Sequence, residues 1–253
     1  MIVDPRDVML QRLLVDAGIS ASMRVLDLGC GYGKVSAMLS RIVGPSGSVT
    51  GVDRDPSAIE VAKRSAASQG LTNTRFQVTS IESLAESSLK GPFDAAVARR
   101  VFMYVPDSVA ALLAVKGQVR AGGVVVLQEQ DTSMVPVASA PLPLHRRVHE
   151  WVWTMVEREG ANVRFGLALP SVFARAGLSL EELRVEAVAQ TASRRLPTAD
   201  MVRAVMPRIV AQGVATEAEI DVDTLDQRLE AELTESGASF VGDVVFGAWG
   251  RVS

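Results

Sequence analysis

From residue 5 to about residue 130, short apolar runs alternate with stretches whose apolar residues keep helical spacing. Val8, Leu10, Leu13, Leu14 and Ala17 predict a first helix over 5–18, with Gly18 as its stop signal. Apolar runs at 24–28, 48–53, 75–79, 93–98 and 124–127 read as strands. Between them lie helices over about 33–43, from Pro56 to Gly70, and over about 106–120. Asp55 and Pro56 supply a side-chain cap and a first-turn proline for the second of these, and Ala121-Gly122-Gly123 reads as the turn into strand five. Strands this uniformly apolar are buried on both faces, so the alternation predicts the α/β class: a mostly parallel sheet with helices on both faces.

The alternation breaks at Asp131. Met134 to Leu144 holds three prolines, and His145 to Glu159 then reads as an aromatic-rich helix. A helix ending at Ala176-Gly177 and a strand near Leu183–Ala189 restore the pattern. A second irregular stretch carries helical patterns after Pro197 and around Leu225–Leu233, and an apolar strand from Phe240 to Trp249 closes the chain. The expectation is one domain over 1–253 with insertions at about 132–166 and 191–237. Long insertions in compact domains are often functional, so they are read as lids over the cofactor edge of the sheet; the alternative is plain padding of the sheet.

Chemistry concentrates where the first strand ends. Val25-Leu26-Asp27-Leu28-Gly29-Cys30-Gly31-Tyr32-Gly33-Lys34 is a buried strand followed by glycines at alternate positions. Glycine reaches φ > 0 in a tight turn, and its missing Cβ lets a ligand lie on the backbone. The second strand ends in Asp53, a carboxylate able to accept two hydrogen bonds from a ribose diol. A dinucleotide site would use G-x-G-x-x-G, whereas here Lys34 and Val35 stand where a third glycine could sit. Asp27, two residues before the first glycine, is badly placed for a pyrophosphate and suits a cationic ligand.

Composition narrows the partners. The 26 basic and 29 acidic residues leave a net charge of −3 with no dense basic run, so no nucleic-acid partner is expected. No apolar run approaches the ~18 residues of a membrane span, and the first residues lack a signal-peptide pattern. The one cysteine, Cys30, cannot form an internal disulfide and fits a cytoplasmic location. It reads as a small residue packed under the cofactor.

Strand, acid, glycine spacing and second acid together resemble the first motif of the class I S-adenosylmethionine-dependent methyltransferases. The fourth strand with Arg99, Val105, Pro106 and Asp107, the Ala-Gly-Gly before strand five, and Phe173-Ala174-Arg175-Ala176-Gly177-Leu178 are similar to methyltransferases of the menaquinone/ubiquinone type. Within that superfamily the chain looks most like small-molecule enzymes of bacterial secondary metabolism. The resemblance implies a seven-stranded Rossmann-like sheet whose last strand lies antiparallel between strands five and six, and S-adenosylmethionine as cofactor. It implies that Asp27, Gly29, Gly31 and Gly33 hold the methionine end, that Asp53 holds the ribose, and that Arg54 lies beside the adenine. Ser80, Ile81 and Glu82 match the adenine-binding position, with Ser80 standing where the family usually has an acid. Arg99 matches the end of strand four near the cleft, or is a solvated charge beside Arg100. Gln11, on the first helix, is placed by topology at the methionine end.

Methyl transfer from a sulfonium is an in-line displacement with an activated leaving group, so the protein chiefly positions the acceptor and excludes water. A base helps only when the acceptor must lose a proton. His145 and His149, the two histidines, share a helix face with Val152, Trp153 and Val156 and are the base candidates, the alternative being helix packing. Tyr104, Trp151, Trp153 and Phe165 are candidate walls for an apolar small-molecule acceptor. Glu129 and Asp131 lack a third ligand, so no metal is expected. Two other functions fit less well. A non-methylating, cyclase-like catalyst on the same fold is one. A nicotinamide oxidoreductase is the other, but Tyr32 is followed four residues on by Ser36 and Tyr104 by Ser108, where a Tyr-x-x-x-Lys pair needs lysine.

Overall fold

The computed structural model describes residues 4–253. They form two compact units: one of residues 7–129, 165–184 and 246–253, and one of residues 4–6, 130–164 and 185–245.

The larger unit begins with α1 (Pro5–Asp16, from Asp7 onward), β1 (Arg24–Leu28), α2 (Lys34–Val43) and β2 (Ser48–Asp53). It continues through α3 (Pro56–Ser68), β3 (Thr74–Val78), β4 (Phe93–Arg99), α4 (Ser108–Lys116) and β5 (Val119–Asp131). β2, β1, β4 and β5 are joined in parallel, with β3 parallel at the outer edge of β2. Val25, Ala95, Val97, Val124 and Val126 meet Leu10, Leu13 and Leu14 of α1 and Leu39 of α2 in one core. Leu26, Leu28, Ala96, Ala98, Val125 and Leu127, at the alternate positions, are just as buried. Both faces of these strands are therefore covered, as their apolar runs require.

The later elements are β6 (Val137–Ala138), α5 (Pro143–Arg158), α6 (Leu169–Arg175), β7 (Leu178–Gln190), α7 (Thr198–Ala211), α8 (Glu217–Ile220), α9 (Val222–Ser236) and β8 (Phe240–Val252). The strand order is β3-β2-β1-β4-β5-β8, with β7 on β8, which makes seven strands among the described residues besides the two-residue β6. β6 pairs antiparallel with the start of β8 through Val137↔Val241 and Ala138↔Phe240. In the smaller unit α5, α7 and α9 pack on one another. A small core of Leu142, Leu233, Ala238 and Phe240 lies beneath them. The stretches 132–166 and 191–237 supply most of that unit.

One expectation changes. Ala121-Gly122-Gly123 is not a turn ahead of strand five but lies inside β5, because Val119 already pairs with Phe93 and Val124 with Ala95. The partner advances five residues while β4 advances two, so the glycines form a bulge in a continuing strand.

Candidate functional site

The order of parallel strands reverses between β1 and β4, since β2 and β3 lie on one side of β1 and β5 lies beyond β4. In such sheets ligands bind outside the carboxyl ends at that switch point. Here a cleft of about 630 Å³ opens there, lined by Gly29, Asp53, Arg54, Thr79, Ser80, Ile81, Glu82, Arg100, Val101, Tyr104 and Val105. The size suits a ligand of cofactor dimensions.

Asp53 is the polar centre of this cleft. Its Oδ2 accepts from the Gly31 N–H at 2.8 Å and its Oδ1 from the Asp55 N–H at 2.9 Å. The carboxylate is thus fixed against the glycine loop, and each oxygen keeps a lone pair for a ligand hydroxyl. The glycines of the loop serve different ends. Gly29 has φ +59°, and a Cβ there would stand 2.6 Å from Val101 Cγ2. Gly31 has φ +50°, and a Cβ there would meet no atom within 4 Å. Gly29 is required by the protein's own packing; Gly31 leaves room that the protein does not use. Gly33 stands at the N-terminus of α2.

Asp27 does not line the cleft. It is 1% exposed and accepts a hydrogen bond from the Ser36 hydroxyl on α2. Burial, opposed by Ser36 and reinforced by the Asp53 charge, raises its pKa to about 7. Its place is beneath the loop, tying β1 to α2. Cys30 is buried too, and burial beside Asp27 and Asp53 pushes its thiol far up, which removes any nucleophilic role.

Ser80, Ile81, Glu82 and Arg54 all reach the cleft. The Ser80 hydroxyl is engaged locally, donating to Ser83 Oγ at 3.2 Å and accepting the Ser83 N–H at 3.3 Å. Ile81, 6% exposed, offers an apolar wall. Arg99 turns elsewhere: its Nη1 pairs with Asp7 Oδ1 at 3.0 Å, and Asp7 Oδ2 also meets Lys34 Nζ at 2.7 Å. It is a clamp between β4 and α1, and its neighbour Arg100, at φ +54°, lines the cleft with Arg54. Gln11 lies on the exposed side of α1, away from the cleft lining. Tyr104 lines the cleft, but Phe165 is core, its ring 6.5 Å from that of Phe102.

Glu129, read from the sequence only as a weak metal ligand, holds the turn after β4. Its Oε1 accepts from the N–H groups of Val101 at 3.1 Å and Phe102 at 2.9 Å. The residue is fully buried, and Oε2 has no hydrogen-bond partner among the described residues. Burial, against those N–H bonds, raises its pKa to about 7. No group of three or more His, Cys, Asp or Glu among the described residues is arranged to hold a metal. The raised carboxyl sets a sign for stability. The folded state holds the proton more tightly than the unfolded chain, whose Glu titrates near 4.5. The stabilisation is therefore complete below that pH and is lost as pH climbs to about 7. Asp27 acts in the same direction from its ordinary 3.8. Glu129→Gln keeps an oxygen for Val101 and Phe102 and removes the titration. Denaturant unfolding should show it more stable than the parent by on the order of 2 kcal/mol at pH 8 and little changed at pH 4.5. An equal difference at both values would show that Glu129 does not titrate in this range.

In the smaller unit His145 is committed to structure. Glu232 on α9 accepts from the Leu144 N–H at 2.7 Å, the His145 N–H at 3.0 Å and, at 2.6 Å, shares a proton with His145 Nδ1. The carboxylate thereby caps the first turn of α5, whose N-terminal donors have no side-chain cap of their own. Trp151 is buried at 5% exposure, while Trp153, four residues from His149, is half-buried with its ring 6.1 Å from the imidazole.

Residues 19–170, more than half of the chain, match the family described as a methyltransferase domain. The chain belongs to the class I S-adenosylmethionine-dependent methyltransferase domains. It is 32% identical over 175 residues to an uncharacterized 37.1 kDa protein in transposon TN4556 of Streptomyces fradiae, covering 66% of this chain and 48% of that protein. It is 29% identical over 127 residues to a demethylmenaquinone methyltransferase of Staphylococcus aureus, covering 50% of this chain and 51% of that enzyme. The methyltransferase domain thus spans about half the length of the curated relatives it matches. The YcgJ protein of Bacillus subtilis has the same fold, with a TM-score of 0.62 at 18% identity over 98% of this chain and 99% of that one. No helix among the described residues is long and apolar enough to cross a membrane.

Proposed function

We propose that the chain transfers the sulfonium methyl of S-adenosylmethionine to a small-molecule acceptor of apolar or aromatic character, of the kind met in secondary metabolism. The observation that carries this reading is Asp53, held by the Gly31 N–H at the carboxyl end of β2 and open to the cleft. The space over Gly31 is what a backbone-hugging ligand requires. Asp53 would take the ribose hydroxyls, the glycine loop would receive the methionine arm, and Ile81 and Tyr104 would flank the cleft as apolar walls. The cofactor, when bound, supplies a methyl group on a good leaving group; the chain supplies alignment and dryness. Similarity to a demethylmenaquinone methyltransferase supports an apolar aromatic acceptor, and a net charge of −3 argues against a polyanionic one.

Calorimetry should show S-adenosylmethionine binding and no binding of NAD. With quinol, phenol and alcohol acceptors, turnover should release S-adenosylhomocysteine in proportion to methylated product. Binding without release of S-adenosylhomocysteine across such acceptors would replace methyl transfer with a non-methylating role.

A further inference from the structure

A second hollow, of about 530 Å³ counting its open mouth, is lined only by residues of the smaller unit. Its walls are mainly apolar: Val152 and Trp153 from α5, Met201 from α7, Leu229 from α9 and Phe240 from β8. α5, α7 and α9 pack on one another, so the hollow is built by the fold and not by a loose loop. Among the residues that line it one buried polar atom stands out. His149 Nε2 is buried and has no hydrogen-bond partner among the described residues. Leaving such an atom unmet is costly, and native proteins rarely do so without a ligand or water to meet it.

We propose that this cavity binds an uncharged, largely apolar small molecule bearing one hydroxyl, which hydrogen-bonds His149 Nε2. Arg6, the one arginine of the lining, is paired with Asp4 at 2.8 Å and with Asp243 at 3.4 Å, so it is already engaged by two carboxylates, and the ligand it would leave room for is uncharged. A hydroxyl is the group that fits, because it can donate to a bare Nε2 or accept from a protonated one, and so satisfies either tautomer. Burial, the largest influence on the ring, holds its pKa down against the nearby Asp243 carboxylate, the Gly242 carbonyl and Glu150, with Arg146 adding to the lowering. The imidazole is therefore neutral at neutral pH and offers a hydrogen bond without a charge. Trp153, whose ring lies beside His149, and the unbranched Met201 suit a flat ring system.

The site stands apart from the methyl-transfer reading and is tested without cofactor. The probes are 1-naphthol and naphthalene, which share a ring system and differ by the hydroxyl. Binding is followed by titration of the whole chain, with the methionine methyls labelled and the Met201 signal assigned through Met201→Leu. 1-Naphthol should shift the Met201 signal and bind about fivefold more tightly than naphthalene, the worth of one net hydrogen bond. In His149→Phe the preference should fall below about twofold. Equal affinity of the two probes for the parent protein, or no shift at Met201 with either, would overturn the proposal without any appeal to the variant. Retention of the full preference in a folded His149→Phe protein would overturn the role of His149. None of these results bears on whether S-adenosylmethionine binds at Asp53.

Discussion

Asp53→Ala should weaken S-adenosylmethionine binding by about tenfold or more, the largest loss expected from any single polar side chain here. Hydrogen bonds to a charged group are worth roughly 1.5–3 kcal/mol each, and the ribose diol would lose two of them. The structure adds a second reason. Asp53 also accepts from the Gly31 and Asp55 N–H groups, so its removal loosens the loop over which the methionine arm would lie. Asp53→Asn separates the two contributions, because its amide keeps one oxygen for the loop while losing the charge and one acceptor. It should bind with an affinity between the parent and the alanine variant, and thermal stability should fall in the same order, asparagine losing one of the two backbone bonds and alanine both, at about 1 kcal/mol per lost bond. Isothermal titration on the three proteins measures this directly. Unchanged affinity in a folded Asp53→Ala protein would move the ribose elsewhere.

The second large effect is a contrast between two glycines two residues apart. In Gly31→Ala the new methyl enters open space, and only the left-handed backbone is penalised, by about 1 kcal/mol. The protein should remain folded, yet cofactor affinity should fall by on the order of a hundredfold if the methyl occupies the ligand's place. In Gly29→Ala the methyl would stand 2.6 Å from Val101 Cγ2, so the protein itself must give way. Here thermal unfolding should report a loss of roughly 2–3 kcal/mol even without cofactor. Normal binding by Gly31→Ala would show that the loop does not cradle the cofactor. Equal stability of the two variants would show that the packing at Val101 yields more easily than its distance implies.

The sequence by itself determined the elements and the kind of site. β1 and α2 fall where the apolar run and the glycines place them, and α3 begins at Pro56 after a side-chain cap from Asp55, which accepts the Ser57 N–H. These are local matters: strand burial writes itself as apolar runs, caps and turns need particular residues, and an acid at the end of the second strand announces a diol. Asp53, Ile81 and Tyr104 line the cleft because their positions at the ends of such elements put them there. The long strand β5 was less legible, since its glycines signal a turn when read locally and only the pairing of Val119 with Phe93 carries the strand through them.

Tertiary structure decided which of two neighbours lines the cleft and which polar groups are already spent. Arg99 and Arg100 are alike in sequence, yet an ion pair with Asp7, distant along the chain, takes the first, and a positive φ turns the second toward the cleft. Asp27 belongs to the motif, but the Ser36 hydroxyl closes over it. Phe165 and Trp151 are aromatic and yet core. Between the two histidines the choice lies with Glu232, which occupies His145 and leaves His149 Nε2 unmet. Glu129 carries no local signal at all, because its partners are the N–H groups of a turn on another strand. Periodicity tells which side chains are buried, but the partner that waits for each one is supplied by segments far away in the chain, and that pairing fixes what remains available for chemistry.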